Sequence, residues 1–142
     1  MLTRTSDAEW HGTLREGHGH MRFGGGAYDG AFTWASRFSD GGGTNPEELL
    51  AAAHAGCFSM ALSGDLVKAG FKPNGIRTTA EVHLEQVNGA WTITLIELVC
   101  GADVPGIDQA TFSRIAEGTR ANCPVSRALG AVKVTLSATL KT

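Results

Sequence analysis

Three cysteines are the strongest candidate nucleophiles of this 142-residue chain. Cys57, Cys100 and Cys123 lie too far apart in the sequence for a Cys-x-x-Cys redox or zinc motif, so any pair of thiols must be brought together by the fold. Three cysteines are also too few for the disulfide-dense scaffold of a small secreted protein. The chemistry of each thiol therefore depends on the element that carries it.

Cys57 lies within an uncharged stretch, where a free cysteine most often packs as a small hydrophobic side chain. The pattern alone favours this core interpretation. His54 precedes Cys57 by one helical turn, so a helix would place both side chains on one face and let the imidazole act as a base. That arrangement would suggest a cysteine hydrolase, but no nucleophile-elbow or papain-like signature surrounds Cys57.

Cys123 precedes Pro124 at the expected start of a helical turn, where the positive end of the helix can stabilise a thiolate. By position, Cys123 is the better candidate for an activated thiol, and a boundary residue without a chemical role is the equal alternative. Cys100 lies in an apolar strand with no acid, base or helix end beside it, which favours a place in the core.

Charged residues provide a further candidate site. Arg37 stands just before the glycine run 41–43, and Glu47 and Glu48 follow this run. An arginine–carboxylate pair can form a bidentate unit, which could hold the guanidinium beside a thiolate. The charge pattern alone favours solvated charges, with the two acids serving the positive end of a helix.

A metal site is another alternative. His18 and His20 would point to one face of a strand, and His11 lies a few residues before them. Because no set of carboxylates or cysteines accompanies them, solvated strand histidines are the favoured interpretation. The histidine pattern therefore does not predict a metal site.

Composition bounds the possible classes of protein. Twelve Lys+Arg against fourteen Asp+Glu give a net charge of −2 and no basic stripe, so neither nucleic acid nor an anionic membrane is an expected partner. The length suits a single domain over residues 1–142. The opening segment lacks the apolar run of a signal peptide, so we expect a cytoplasmic location.

One long helix is predicted from Pro46 to about Lys68. Asn45 can cap its N-terminus, proline suits the first helical position, and Gly70 ends it. The interior, residues 49–63, has no charged residue and carries apolar or small side chains on every face, which predicts a buried helix at the centre of a domain or an interface. This interior is shorter than the ~20 apolar residues that a membrane span needs.

Strands are predicted on both sides of this helix. Alternating apolar and polar residues predict strands over 76–85 and 132–140. Asn88-Gly89 predicts a hairpin turn with a return strand over 90–100. Before the helix, aromatic runs broken by glycine predict two or three short strands, the last of which covers residues 28–38.

Two shorter helical segments are predicted after the hairpin. Asp108 caps a helix that ends near Asn122, because the residue before Pro124 is steered out of the helical region. Pro124 then begins a short helical turn to Leu129. Runs of strands interrupted by separated helices predict an α+β fold.

Three segments form a distinctive set: residues 45–62 around Cys57, residues 104–108, and residues 122–126 around Cys123. Together they closely resemble the OsmC/Ohr family of thiol peroxidases, and the resemblance extends over essentially the whole chain. It is closer to the OsmC branch, because Arg37 directly precedes Phe38 and the glycine run. In the Ohr branch the matching arginine lies nearer the N-terminus, and the residues of this chain that could correspond to it are Arg15 and Arg22.

The resemblance implies antiparallel β-sheets around a long buried central helix, in an intertwined homodimer. It further implies that Cys57 attacks a peroxide and that Cys123 resolves the sulfenic acid as an intramolecular disulfide. Arg37 would hold Cys57 as a thiolate, with Glu47 orienting Arg37. The residues alone do not decide between Glu47 and Glu48.

The resemblance also implies the reaction partners. The expected substrates are organic hydroperoxides ahead of hydrogen peroxide, with electrons from a dithiol such as a lipoylated protein and without a metal, haem or flavin. The expected setting is defence against oxidative and osmotic stress. The rival hypothesis is a thiol redox sensor, or a module that binds an apolar ligand without turnover.

The length of the helix limits how such a site is assembled. Glu47 and Cys57 are ten residues apart, which is about 15 Å of helical rise. One straight helix cannot place this carboxylate beside its own thiol. We therefore predict that the Arg–Glu pair near each Cys57 includes residues of the partner subunit.

Overall fold

The computed structural model describes residues 1–141, which form two compact units. The first unit covers residues 1–49 and the second begins at Leu50. Each unit contains a three-stranded sheet, and the chain also has one long helix and three shorter ones within the described residues. This composition confirms the predicted α+β class.

The first unit contains an antiparallel sheet and one short helix. The strands pair in the order β1-β2-β3, and the helix α1 follows β3 without a connecting loop. The elements are β1 (Ser6–His11), β2 (His18–Phe23), β3 (Asp29–Thr33) and α1 (Trp34–Phe38).

The helix α1 corrects the sequence prediction, which continued the strand to residue 38. Ser36 donates its backbone N–H to Thr33 Oγ1 at 3.1 Å, and Thr33 donates its backbone N–H to Ser36 Oγ at 2.8 Å. These reciprocal bonds form a capping box, which satisfies backbone groups at a helix start. Arg37 therefore lies on a helical turn instead of a strand.

The long helix α2 (Pro46–Lys68) has the predicted boundaries. Asn45 Oδ1 accepts the backbone N–H of Glu48 at 2.7 Å, which caps the first turn. Gly70 follows the last turn with a φ of 93°, a left-handed conformation that glycine adopts without strain.

The second sheet has the order β4-β5-β6 and is mixed. β4 and β5 form the predicted hairpin, with positive φ at Asn88 and Gly89, as a type I′ turn requires. The expectation of antiparallel sheets is confirmed for this pair and for the first sheet, but β6 pairs with β5 in parallel. The strands are β4 (Gly75–Val87), β5 (Ala90–Asp103) and β6 (Lys133–Leu140).

Two helices form the crossover that a parallel pair needs. They are α3 (Gln109–Asn122) and α4 (Pro124–Ala128). Asp108 Oδ1 caps α3 by accepting the backbone N–H of Thr111 at 2.8 Å, as predicted. Cys123 stands between the two helices and caps both.

The hydrophobic core of the second unit lies between α2, α3 and the second sheet. Helix α2 contributes Phe58, Leu62 and Leu66, each fully buried and four residues apart along one stripe. Side chains from β5 and α3 complete the core, among them Ile96, Leu98, Cys100, Ala102, Phe112 and Ala116.

The opposite face of α2 is exposed in the single chain. Met60 is 80% exposed and Val67 is 58% exposed, and Gly56 and Gly64 are exposed on the same side of the helix. The predicted burial is therefore found on one face of the helix. Among the described residues, α2 is the one helix long and apolar enough to cross a membrane, a property that core helices of soluble proteins share.

Candidate active site

Arg37 and Glu47 form a bidentate ion pair in the first unit. Arg37 donates from Nε to Glu47 Oε2 at 3.1 Å and from Nη2 to Oε1 at 2.6 Å. The side chains are 34% and 11% exposed, so the pair is partly shielded from solvent. Two parallel bonds orient the guanidinium plane. Of the two acids, Glu47 is the one bound to Arg37, whereas Glu48 is exposed.

Hydrogen bonds across the segment between α1 and α2 bring this pair together. Ser36 Oγ donates to the carbonyl of Thr44 at 2.7 Å, and Asn45 Nδ2 donates to the carbonyl of Ser36 at 3.0 Å. Gly43 has a φ of 110°, which is accessible to glycine and strained for other residues. The end of α1 is thereby held against the start of α2.

The two alternative arginines have other partners in the first unit. Arg22 donates to Asp7 at 3.2 Å and to Glu9 at 3.0 Å on the sheet. The guanidinium carbon of Arg15 lies 4.4 Å from the centroid of the Trp34 ring, a cation–π contact.

An apolar cavity of about 230 Å³ lies beside Arg37. Aromatic rings form much of its wall, and the Trp10 and Phe32 rings are 5.2 Å apart. A small apolar cavity with a charged group in its wall suits a molecule that has a hydrocarbon part and a polar end. The lining residues are Trp10, Leu14, Phe32, Thr33, Trp34, Arg37 and Phe38.

Cys57 lies on α2 in the second unit, with its side chain partly buried. Burial raises the pKa of the Cys57 thiol above its ordinary value. A hydrogen bond from the Val125 backbone opposes this rise, whereas Cys123 adds to it through its charge and a side-chain hydrogen bond. Because the thiolate is the nucleophile, Cys57 needs additional positive charge to react well at neutral pH.

Cys123 is buried at the junction of α3 and α4, with 2% exposure. Its Sγ accepts the backbone N–H of Ser126 at 3.4 Å and forms a second bond with Ser126 Oγ at 3.1 Å. Cys57 packs against the core cluster that contains Cys123, and its thiol lies within the range of the Cys123 charge and side-chain hydrogen bond. The fold therefore brings the two predicted cysteines near each other as free thiols, and Cys57 is the more accessible of the two.

His54 is fully buried, and its Nε2 forms a hydrogen bond with Ser126 Oγ at 2.7 Å. Burial lowers the pKa of the imidazole, which favours its neutral form. The sequence hypothesis made His54 a base for Cys57, whereas the structure links it to Cys123 through Ser126. Sequence reasoning missed Ser126, although its spacing from Cys123 matches the contact between a helix cap and the third residue of the helix.

Cys100 occupies the predicted place in the core. It is 2% exposed on β5, and burial raises the pKa of its thiol, against a hydrogen bond to Thr78. A buried thiol with a raised pKa is a poor nucleophile.

The histidines considered for a metal have separate contacts. His20 Nδ1 is bonded to Asp29 at 2.7 Å, while the rings of His11 and His18 lie 5.7 Å apart. A different group, Glu81, His83 and Glu97, brings its ligand atoms within 4.8 Å of one another on the second sheet. Glu81 and His83 are exposed and Glu97 is half-buried, and His83 is hydrogen-bonded to Glu97 at 2.7 Å.

Comparisons with known proteins identify the family of the chain. Residues 39–137 match the family model described as OsmC-like protein. The chain is 44% identical to Peroxiredoxin OsmC of Escherichia coli (strain K12) over 141 residues, which cover 99% of this chain and 98% of that protein. It is 34% identical to an organic hydroperoxide resistance protein of Xanthomonas axonopodis pv. citri (strain 306) over 99 residues, 68% of each chain.

A solved structure supports the same relationship. The crystal structure of the organic hydroperoxide resistance protein OhrB of Bacillus subtilis superposes with a TM-score of 0.73 at 26% identity, covering 96% of this chain and 98% of that one. The fold, the two cysteine segments and the sequence identity together show that this chain belongs to the OsmC-like protein family.

Proposed function

We propose that this protein is a thiol peroxidase that reduces organic hydroperoxides through Cys57 and Cys123. The observation that carries the proposal is the partly accessible Cys57 thiol beside the buried Cys123 thiol. The names of the relatives, a peroxiredoxin and an organic hydroperoxide resistance protein, support a peroxide-related redox role.

The proposed reaction has three steps. The Cys57 thiolate attacks the hydroperoxide, so that an S–O bond forms and the O–O bond breaks; the alkoxide takes a proton from solvent and leaves as the alcohol, with Cys57 as the sulfenic acid. The Cys123 sulfur then displaces the hydroxyl group, which leaves as water, and a Cys57–Cys123 disulfide forms. A dithiol donor, such as a lipoylated protein, supplies two electrons and two protons and restores both thiols.

We propose that Arg37 supplies the positive charge that keeps Cys57 ionised and that Glu47 orients Arg37. Burial alone raises the pKa of the Cys57 thiol, so a cation is needed to favour the thiolate. The bidentate bonds of Glu47 hold the Arg37 guanidinium in one orientation. No metal or organic cofactor takes part in the proposed steps.

The apolar cavity beside Arg37 supports organic hydroperoxides as the preferred substrates. Each buried CH₂ group contributes roughly 0.8 kcal/mol, and hydrogen peroxide has no hydrocarbon to bury. We further propose that the enzyme acts in the cytoplasm, in defence against oxidative and osmotic stress.

Steady-state kinetics test the function. With a dithiol in excess, cumene hydroperoxide is expected to be consumed over many turnovers, with a kcat/KM at least about tenfold above that for hydrogen peroxide, the effect of burying two methylene equivalents. A protein that oxidises once and stops would instead be a redox sensor. An equal or higher kcat/KM for hydrogen peroxide would contradict the role of the apolar cavity.

We propose that the exposed apolar face of α2 is covered by a second copy of the chain. Met60 and Val67 lie on this face, and large exposed apolar side chains on one helix face indicate an interface. In this homodimer, Arg37 and Glu47 would serve Cys57 of the partner subunit, as the length of α2 predicts.

Mixed dimers test this assembly. After reversible dissociation, equal amounts of inactive Cys57→Ser and weakly active Arg37→Ala chains are expected to recover activity when combined, because one mixed site regains both residues. Recovery would not occur if Arg37 served the thiol of its own chain. Sedimentation of the wild-type protein at the mass of one 14.9 kDa chain would contradict the dimer itself.

A further inference from the structure

A buried hydrogen-bond chain runs from His54 through Ser126 to Cys123. His54 Nε2 and Ser126 Oγ are 2.7 Å apart, and Ser126 Oγ is 3.1 Å from Cys123 Sγ. The exposed fractions of these residues are 0%, 7% and 2%. Most polar groups buried this deeply in proteins are hydrogen-bonded, and here one hydroxyl is paired with both an imidazole and a thiol.

The hydrogen bonds that link His54, Ser126 and Cys123 can run in either direction. A serine hydroxyl donates one hydrogen bond and accepts others, so Ser126 can accept from the Cys123 thiol while donating to His54, or the reverse. His54 Nδ1 has no hydrogen-bond partner among residues 1–141. Because the partner of one ring nitrogen normally sets the tautomer, His54 can present either a bare nitrogen or an N–H to Ser126.

The burial of His54 suits an imidazole that is protonated only transiently. Burial lowers the pKa of its imidazole, so the neutral form prevails and an acceptor is available at neutral pH. The same burial destabilises the imidazolium form, so a proton received by His54 is readily returned. A group with these properties can relay a proton without retaining it.

We propose that Ser126 and His54 carry the proton of the Cys123 thiol while the disulfide forms. The inference rests on the proposed function, in which Cys123 attacks the sulfenic acid of Cys57. The S–S bond forms and the S–O bond breaks as the thiol proton passes to Ser126 Oγ and the Ser126 proton passes to His54 Nε2. The proton on His54 then returns through Ser126 to the departing hydroxide, which leaves as water, while the Cys123 sulfur is oxidised and the Cys57 sulfur is reduced to the disulfide level.

The two residues have different roles in this step. Ser126 contacts the reacting sulfur, so it is a catalytic residue for disulfide formation. His54 acts through Ser126 and is a positioning residue. Neither residue is required for the attack of Cys57 on the peroxide, and this difference makes the proposal testable.

The experiment separates the two steps in a single turnover. Reduced protein is mixed rapidly with one equivalent of cumene hydroperoxide, the sulfenic acid is trapped with dimedone at intervals, and the disulfide is quantified by mass spectrometry. In Ser126→Ala, we expect sulfenic acid to form at the wild-type rate and the disulfide to form about tenfold more slowly, the effect of losing one hydrogen bond. Ser126→Thr retains the hydroxyl and is expected to restore the rate.

His54→Gln provides the second variant. Glutamine can form a hydrogen bond with Ser126 but cannot take up a proton at neutral pH, so disulfide formation is again expected to slow. If Ser126→Ala slows this step and His54→Gln does not, the role of His54 is wrong. Cys123→Ser forms no disulfide with Cys57 and sets the lower limit of the measurement.

Two outcomes distinguish failure of this inference from failure of the proposed function. A wild-type protein that forms no Cys57–Cys123 disulfide would show that the proposed function is wrong, and the inference with it. A wild-type protein that forms the disulfide, together with a Ser126→Ala protein that forms it equally fast, would overturn the relay alone. An equal slowing of both steps in Ser126→Ala would also overturn it, because packing damage would then explain the effect.

Discussion

The Cys57→Ser protein is expected to consume alkyl hydroperoxide no faster than buffer containing the dithiol alone. A serine hydroxyl is not ionised at neutral pH, and its oxygen cannot form the sulfenic acid on which the later steps depend. The substitution is close to isosteric at a partly buried position of α2, so the fold is expected to persist. Peroxide loss, followed with a dye that reports hydroperoxide, measures the effect.

Cys100→Ser is the matched control for this experiment. Cys100 is the third free thiol, is buried on β5 and lies outside the proposed reaction. We expect its replacement to leave kcat unchanged, even if the unfolding temperature falls. If Cys57→Ser consumed hydroperoxide as fast as the wild type, the proposed peroxidase mechanism would be wrong.

Removing Arg37 is expected to slow the first step by about a hundredfold at pH 7, because the loss of a nearby cation raises the pKa of the Cys57 thiol further and lowers its thiolate fraction. Burial already raises this pKa, and without the guanidinium the hydrogen bond from the Val125 backbone is the remaining influence that opposes the rise. Below the pKa, each unit of increase reduces the thiolate fraction tenfold. The rate of sulfenic acid formation in Arg37→Ala is measured by stopped-flow mixing.

The pH profile distinguishes this electrostatic role from general damage. Because a higher thiol pKa requires a higher pH for ionisation, the rate of Arg37→Ala is expected to recover towards that of the wild type as pH rises. A rate reduced by the same factor at every pH would contradict the role of Arg37. Glu47→Gln, which removes the anionic partner, is expected to give a smaller effect of the same kind.

Arg22→Ala is the matched control among the arginines. Arg22 binds Asp7 and Glu9 on the first sheet, so its loss is expected to leave the Cys57 reaction unchanged. If Arg22→Ala or Arg15→Ala slowed the reaction and Arg37→Ala did not, the arginine role would belong to the N-terminal segment.

Features determined by local interactions could be predicted from the sequence. The long helix begins at Pro46 because Asn45 caps it, and it ends before Gly70, whose positive φ suits glycine. The turn at Asn88 and Gly89 has the positive φ values that these residues tolerate. Such features depend on a few neighbouring residues, so they can be predicted without knowledge of the tertiary structure.

Some local structure was nevertheless missed. The turn that carries Arg37 is helical because Thr33 and Ser36 cap each other reciprocally, whereas the aromatic residues around them favour a strand. Two short polar side chains outweighed the propensity of their neighbours, as often happens at the ends of elements.

The sequence by itself determined the fold class through its hydrophobic patterning, and its resemblance to a family of thiol peroxidases pointed to the two cysteine segments and to Arg37 and Glu47. The tertiary structure alone decided that Glu47 is the carboxylate bound to Arg37 and that His54 meets Ser126, 72 residues away in the chain. It also decided that β6 joins β5 in parallel and that one face of α2 is buried. Contacts between distant residues depend on how helices and sheets pack, and periodicity along the chain does not encode that packing.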